Sequence, residues 1–504
     1  MGDLLLGIDI GTYSSKAVLV SPEGRILRQA TRPHGISLPA PGFVEQDAEA
    51  VWWADTVALC RELLDGDYRG PDVGAVAVSA IGPCLLPLDD KDRPLRPGIL
   101  YGVDTRATAE VAWLEEKWGA DALFRHAGMD LSSQAVGPKV RWLRVHEPET
   151  WDRTAWVTTA SGYVVAKLTG ERVIDHHTAS HYVPLYDRSA GAWTDEFADG
   201  LIAPERLPRL GWSDEVAGVV TVAAAKETGL AQGTPVTVGA VDALSEAVSV
   251  GVDSPGDLMV MYGSTAFFLL VTDGSRSSPT GWSTPGARAG QHLLAAGMAT
   301  SGSLTRWFVD ELVLGGDGEG PQVEEAYEAM FEAAAAVRPG ADGLLMLPYF
   351  SGERTPLNDP LARGVVAGLT LRHGRGHLFR AALEGVAYGI RDNLQELAMA
   401  GGAPQRIVAV GGGTRGDTWV QIVSDVAGVT QLVPGNVIGA SFGDAFLAGV
   451  AIGARGWDAL PAWVGEYRRV DPAEDARAVY DPGFRRFKEL YAATKGLVHE
   501  LAGL

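Results

Sequence analysis

The sequence predicts an α/β protein of two domains, each built on a mixed sheet. Three observations carry this. The chain has 504 residues, too many for one small core. Its first strands precede a helix and a further strand follows it, an order that departs from strict βαβ alternation and leaves a meander at one side of the sheet. Finally, a pattern of apolar strand, Gly/Ser/Thr tip and apolar strand occurs at 4–20 and again at 258–271. A duplicated fold, each half giving one tip to a shared cleft, would explain the pair.

In order along the chain, Leu4-Leu5-Leu6-Gly7-Ile8 reads as a buried strand that Asp9 interrupts. Gly11 and Thr12 supply a tight turn, Ser14, Ser15 and Lys16 follow, and 17–20 begins a second strand. Two readings stand: a plain hairpin with a polar tip, or a cup of N–H and O–H donors for phosphate oxygens with Asp9 placed to hold Mg²⁺. Residues 24–30 predict a third strand, 48–64 a helix with Trp52 and Trp53 as packing, and 73–80 a parallel strand broken at Ile81-Gly82-Pro83-Cys84. Tyr101 ends a strand-like run and faces either a small polar ligand or the core edge; a helix is expected at 107–117. Residues 131–147 and 154–168 read as helical. His177 and His181 are four apart, but the segment 175–181 has no zinc-hydrolase Glu and reads as a polar surface loop. Asp242 stands between an apolar strand at 236–241 and a helix at 243–250. It is either a helix N-cap or a general base at the carboxyl end of a strand.

The second half repeats the tip as Gly263-Ser264-Thr265 between strands at 258–262 and 266–271. Helices are expected at 304–312, 323–337, 377–398, 417–427 and 439–453, strands at 344–349 and 406–410, a turn at 363–371 and a Gly-rich loop at 315–320. The run Gly411-Gly412-Gly413-Thr414-Arg415-Gly416 satisfies G-x-G-x-x-G, which raises a dinucleotide-binding alternative. It lacks an acid at the end of the following strand.

Composition narrows the partners. Apolar residues make up 46% and charged residues 21%, an ordinary globular balance. A net charge of −21 argues against nucleic acid. The two cysteines, Cys60 and Cys84, give no disulfide framework. No signal peptide precedes the first strand, and no run approaches the roughly 18 apolar residues of a membrane span. The expectation is a soluble, cytoplasmic protein.

The segments Asp9–Lys16, Gly239–Ala243 and Gly263–Thr265 resemble those of the FGGY family of carbohydrate kinases, in the actin-like ATPase superfamily. So does Gly364-Val365-Val366-Ala367-Gly368-Leu369 followed by His377–Glu384, while Glu353-Arg354-Thr355-Pro356 and Asp359-Pro360 are similar to its pentulose-kinase, xylulokinase-like branch. The resemblance covers nearly the whole length. It implies two RNase H-like (actin-like ATPase) domains around a central cleft, residues 1–250 holding sugar and catalytic base, residues 251–504 holding ATP. It makes Asp242 the catalytic base and a sugar contact, and Asp9 the residue acting on Mg²⁺. Thr12, Ser14, Ser15 and Lys16 would line the phosphate path, and Gly263, Ser264 and Thr265 would form the second phosphate loop. Gly302 would lie near the nucleotide and Gly411, Gly412 and Gly413 would border adenine. Ile81, Gly82, Tyr101 and Asp104 would face the sugar. ATP and a small sugar are the implied partners, with a homodimer common in the family. Two departures bear on the sugar. Gly82 and Pro83 stand where xylulokinases carry Met-His, and Tyr101 stands where Trp is usual. D-xylulose is the first expectation, with ribulose, a polyol such as erythritol, or a transfer-deficient sensor as alternatives.

Overall fold

The computed structural model describes residues 2–316, 320–400, 402–435 and 438–503. The chain forms two compact units. One comprises Met1–Asp253, Ser283–Leu293 and Ile438–Gly465; the other comprises Ser254–Trp282, Leu294–Val437 and Glu466–Leu504. The first border falls at Asp253/Ser254, and two later segments, Ser283–Leu293 and Ile438–Gly465, pack with the first unit.

The first unit is built on strands β1 (Leu4–Ile10), β2 (Ser14–Val20), β3 (Ile26–Pro33), β4 (Val73–Ala80), β5 (Val216–Val219), β6 (Pro235–Thr237) and β7 (Ala240–Val241). Their order is β5-β6-β4-β1-β2-β3, with β7 also on β4. β1 and β2 pair antiparallel, β1 and β4 parallel. Alternation then sorts the side chains. Ile8, Ile10, Ala17 and Leu19 enter a core with Trp52 and with Leu59 and Leu63 of helix α1 (Ala54–Leu63). Gly7, Asp9 and Lys16 lie on the other face, in register as Gly7↔Val18 and Asp9↔Lys16. That face receives α6 (Ala440–Ala451), numbered after α2 (Asp242–Ser249), α3 (Gly302–Val309), α4 (Arg375–Met399) and α5 (Asp417–Ala427). A Cβ on Gly7 would lie 1.8 Å from the Ser441 carbonyl oxygen, so only glycine permits this approach.

The second unit repeats the plan. Its sheet is made of β8 (Asp257–Tyr262), β9 (Ala266–Thr272), β10 (Trp282–Pro285), β11 (His292–Met298), β12 (Arg406–Val410), β13 (Gln431–Pro434) and β14 (Tyr467–Val470), with residues 283–285 of β10 and the first two residues of β11 belonging to the Ser283–Leu293 segment. Their order is β10-β11-β9-β8-β12-β13-β14. From β8 the sheet runs antiparallel to β9 on one side; on the other it runs parallel to β12 and β13, then antiparallel to β14. From β1 the sequence of orientations is the same through β2, β4, β6 and β5. Two copies of one mixed α/β sheet are the two-domain actin-like architecture. The helices α4 and α5 cover this sheet through Phe379, Leu383, Val386, Trp419 and Val423.

Three local expectations are corrected. Ser14, Ser15 and Lys16 belong to β2, because the turn closes over Gly11–Tyr13 with the Gly11 N–H donating to the Ser14 carbonyl at 3.0 Å. Residues 156–158 form a strand before the helix Ala160–Thr169. The segment 175–181 is buried. Asp175 accepts from the Thr178 N–H at 2.8 Å, and His177 Nδ1 donates to the Pro285 carbonyl at 2.9 Å. Burial pushes His177 down to about 4 and His181 to about 3, so both rings are neutral. Polar residues that find backbone partners, as Asp175 and His177 do, can be buried, which composition alone does not reveal. The Gly-rich loop expected at 315–320 has its centre, 317–319, outside the described residues.

The close approach of α6 to β1 gives a direct test. Gly7→Ala should cost about 1–3 kcal/mol through overpacking, read as a lower unfolding midpoint of the full chain; an unchanged midpoint would mean that α6 can shift away.

Candidate active site

The carboxyl ends of β1, β4 and β7 lie side by side in parallel register, Asp9 opposite Ser79 and Ser79 opposite Ala240. Open α/β sheets place ligands at that end. Asp242 follows directly as the first residue of α2. It does not cap the helix through N2 or N3; its Oδ1 accepts only from the N–H of Ala243, at 2.7 Å. One turn on, Glu246 shares its helix face. Asp444 arrives from α6 and accepts from Ser79 Oγ at 2.7 Å and Ser245 Oγ at 2.6 Å.

Four acids thus share one buried neighbourhood, and burial is the leading influence on each. It pushes Asp242 up to about 6, Glu246 to about 7 and Asp444 to about 8. Asp9 is raised well above the carboxylate range, by burial first and then by the charges of Asp242, Asp444 and Glu246, with the Lys16 ammonium opposing them. Asp9 Oδ1 is buried with no hydrogen-bond partner. A desolvated, unpaired carboxylate oxygen among further acids is chemistry that fits a hard divalent cation held by one or two carboxylates and water. Among the described residues no group of three or more His, Cys, Asp or Glu is arranged as a protein-only metal cage.

The hairpin tip is divided by strand alternation. Lys16 is exposed on the Asp9 face and Ser14 shares that face. Ser15 points the opposite way, is fully buried and donates to Asp55 Oδ2 at 2.7 Å, so its hydroxyl is committed to the core and not to phosphate. Thr12 is held twice: Gln46 Nε2 donates to its carbonyl at 3.0 Å, and its hydroxyl meets the Tyr101 hydroxyl at 3.1 Å. Tyr101 therefore sits beside the hairpin tip.

Two of the expected sugar contacts are corrected. The Ile81 side chain is buried in the core, and its N–H donates to the Ile10 carbonyl at 2.8 Å. Asp104 is sealed from solvent: it accepts from Arg106 Nε and Nη2 at 2.9 and 2.7 Å and from the Val44 N–H at 2.6 Å. Arg106 also reaches Glu45 at 2.8 Å, and Arg96 joins the same carboxylate. The Asp104 charge is spent on fixing the loop that carries Tyr101. Lys139 completes that lock by donating to the carbonyls of Leu100, Tyr101 and Ser133 at 2.8, 2.9 and 2.7 Å. Gly82 remains half-buried, with space for a Cβ only 3.2 Å from Val241, the residue before Asp242.

In the second unit the tips are again at strand ends. Gly263, Ser264 and Thr265 join β8 to β9, and Ser264 and Thr265 are exposed. The tip is bolted to the start of α3: Gly302 and Ser303 N–H donate to the carbonyls of Gly263 and Ser264 at 2.8 and 3.0 Å. A Cβ on Gly302 would lie 2.7 Å from the Gly263 carbonyl oxygen. Gly411 follows β12, the strand beside β8, at a φ of +94°, and a Cβ there would lie 2.7 Å from the Tyr262 carbonyl oxygen. Gly413 packs on Trp419 and Tyr262, whereas Gly412 faces open space. The three glycines thus serve close packing at two positions and leave one free backbone face.

Sequence reasoning missed Glu246 and Asp444. The spacing of Glu246 four residues after Asp242 was a signal; Asp444 lay unmarked in a helix of small residues.

Models of the FGGY family of carbohydrate kinases match the chain at residues 4–249 for the N-terminal domain and 258–452 for the C-terminal domain. A xylulose kinase of Escherichia coli (strain K12) is 30% identical over 97% of this chain and 98% of its own length. A gluconokinase of Bacillus subtilis (strain 168) is 27% identical over 95% and 94%. The crystal structure of a xylulose kinase from Rhodospirillum rubrum superposes with a TM-score of 0.89 at 34% identity, over 98% of this chain and 100% of that one.

The commitment of Ser15 to Asp55 is testable. Ser15→Ala should leave ATP binding unchanged by calorimetry while lowering stability by about 1–2 kcal/mol; weakened ATP binding at unchanged stability would return Ser15 to the phosphate path.

Proposed function

The chain belongs to the FGGY family of carbohydrate kinases and is an ATP-dependent sugar kinase, and we propose that its acceptor is a ketopentose, D-xylulose first, with Asp242 as the base. The observation that carries the assignment of Asp242 is its position. It is a half-buried carboxylate at the carboxyl end of the first sheet with one N–H partner and a protonation midpoint near about 6. At neutral pH it is ionised and able to take a proton.

In the step itself, the acceptor hydroxyl oxygen forms a bond to the γ-phosphorus of ATP, the bond to the bridging oxygen of ADP breaks, and Asp242 takes the hydroxyl proton. Phosphoryl transfer asks mainly for positioning and charge neutralisation. Lys16, Thr12 and Ser14 are the phosphate-binding candidates of the first unit; Ser264 and Thr265 are those of the second. Gly302 gives the second tip its support, and the open face at Gly412 takes the nucleotide, with Gly411 and Gly413 shaping the turn. Asp9 is the residue that would hold Mg²⁺, which neutralises phosphate charge when bound. Sugar is held by the first unit, where Gly82 and Tyr101 line its place. The kinase works in the cytoplasm, as its two buried free cysteines allow. No helix among the described residues is long and apolar enough to cross a membrane.

Xylulose kinases and gluconokinases both stand among its relatives, so the acceptor rests on the site. Without side-chain donors, Gly82 and Pro83 offer the sugar fewer hydrogen bonds than a Met-His pair would. An ATP-coupled assay over D-xylulose, ribulose, gluconate, erythritol and glycerol decides among acceptors, with D-xylulose expected to have the highest kcat/KM. Binding of a sugar without product would mark a transfer-deficient sensor.

Asp242→Asn should lower kcat by roughly 10²–10⁴-fold while ATP binding stays within a factor of two or so. The pH profile supplies a second check. A raised carboxylate loses its base function as pH falls through its midpoint, so kcat/KM should be level above about 6 and fall about tenfold per unit below it. An acid limb displaced to about pH 4, the range of an exposed Asp, would remove Asp242 from this role.

A further inference from the structure

The transfer step leaves two acids of the cluster without a task, Glu246 and Asp444, and of these Asp444 is the one whose two oxygens both have partners. It is fully buried on α6, and its two oxygens are used in two different directions. Oδ2 accepts from Ser79 Oγ at 2.7 Å and Oδ1 from Ser245 Oγ at 2.6 Å. Ser79 lies on β4, in register with Asp9 on one side and with Ala240 on the other, two residues before Asp242. Ser245 lies on α2, three residues after Asp242. A single carboxyl group therefore ties the strand ends that carry Asp9 and lead into Asp242 to the helix that Asp242 opens.

The helix needs such a tie. α2 is eight residues long and begins at Asp242, with Val241 at the N-cap position and no side-chain cap. Short helices draw their stability from tertiary packing and caps. Packing alone also leaves no slack here, since a Cβ on Gly443 would lie 1.9 Å from the Ser245 carbonyl oxygen. An apolar residue in place of Asp444 would fill the volume without directing either serine. Directed, fully satisfied buried hydrogen bonds fix orientation in a way apolar contact does not.

We propose that Asp444 is a positioning residue for phosphate transfer: by accepting from Ser79 and Ser245 together it sets the start of α2 and the direction of the Asp242 carboxylate. The inference rests on Asp242 being the base. A misplacement of about 1 Å in a reacting group costs roughly 10²-fold, so loss of the tie acts on kcat and spares binding.

The test uses the full chain with ATP and the best acceptor of the sugar panel, comparing Asp444→Ala, Asp444→Asn and Ser245→Ala. Asp444→Ala should lower kcat by about tenfold or more and Ser245→Ala by several-fold, with both KM values within a factor of about two. Asp444→Asn keeps one carbonyl acceptor and should recover most of the rate. Unchanged kcat in Asp444→Ala and Ser245→Ala overturns the inference, as does an Asp444→Asn variant no better than Asp444→Ala. If Asp444→Ala does not fold, Ser245→Ala decides, because it deletes one hydroxyl only. An active Asp242→Asn would overturn the base itself; an inactive one beside a normal Ser245→Ala overturns only the positioning role.

Discussion

The first unit depends on crowding four carboxyl groups at one end of its sheet, Asp9 and Asp444 buried and Asp242 and Glu246 half-buried. Nothing in the charge pattern demands this; packing imposes it. Gly7 lets α6 come against β1, and Gly443 lets α6 come against α2. With those approaches made, Asp9, Asp242, Glu246 and Asp444 cannot all be solvated, and each is easier to protonate than an exposed acid. Fully ionised and unpaired, such a cluster would be costly. It is sustained by hydroxyl donors to Asp444, by the N–H donor to Asp242 and by the single cation Lys16. A cation at Asp9 would complete the balance, and the bound phosphates would bring their own charge to it. The reactivity assigned to Asp242 is thus a by-product of helix packing, and its neighbours set how much of it survives.

The second unit meets a different requirement with the same plan. Its tip contains no acid and no lysine, only exposed hydroxyls and backbone. What must be controlled there is shape. The N–H groups of Gly302 and Ser303 hold the Gly263 and Ser264 carbonyls inward, which turns the tip's hydroxyl side outward. The two equivalent strand–tip–strand units thus differ in character, one charged through Asp9 and Lys16, the other neutral with hydroxyls and backbone donors of the kind that suit oxygen-rich phosphate.

Much of this was legible in the sequence. The two tips, the acid at a strand-to-helix junction and the signature around Gly364–Leu369 needed only local order and spacing, and each is governed by local rules. Asp104 and Ser15 were misread because a polar residue in a functional motif can as well be structural. Ser15 is separated from Lys16 by a single step, and period-two alternation sends it to the opposite face. Asp104 is distinguished from a ligand-facing acid only by Arg106 folding back on it, a matter of rotamer and burial. Glu246 and Asp444 were missed for the complementary reason. Asp444 lies about 200 residues after Ser245, and no pattern within α6 announces a partner that far away.

The same reasoning separates what is fixed in this kinase from what can vary. The elements that place Asp9, Asp242 and the tips are sheet and close-packed helix, where a one-atom change is felt throughout. The elements proposed to face the sugar are loops: Gly82-Pro83 leads off β4, and Tyr101 hangs on the lock made by Asp104, Arg106 and Lys139. The lock holds the backbone at Tyr101 without specifying its side chain, since Lys139 reaches only carbonyl oxygens. A Tyr in place of Trp can then enter with its loop undisturbed, and its hydroxyl finds Thr12 at 3.1 Å. That bond links the Tyr101 loop to the β1–β2 tip through one side chain. Acceptor choice in such a scaffold can shift by substitution at two or three loop positions while the proton-transfer chemistry beneath them stays in place.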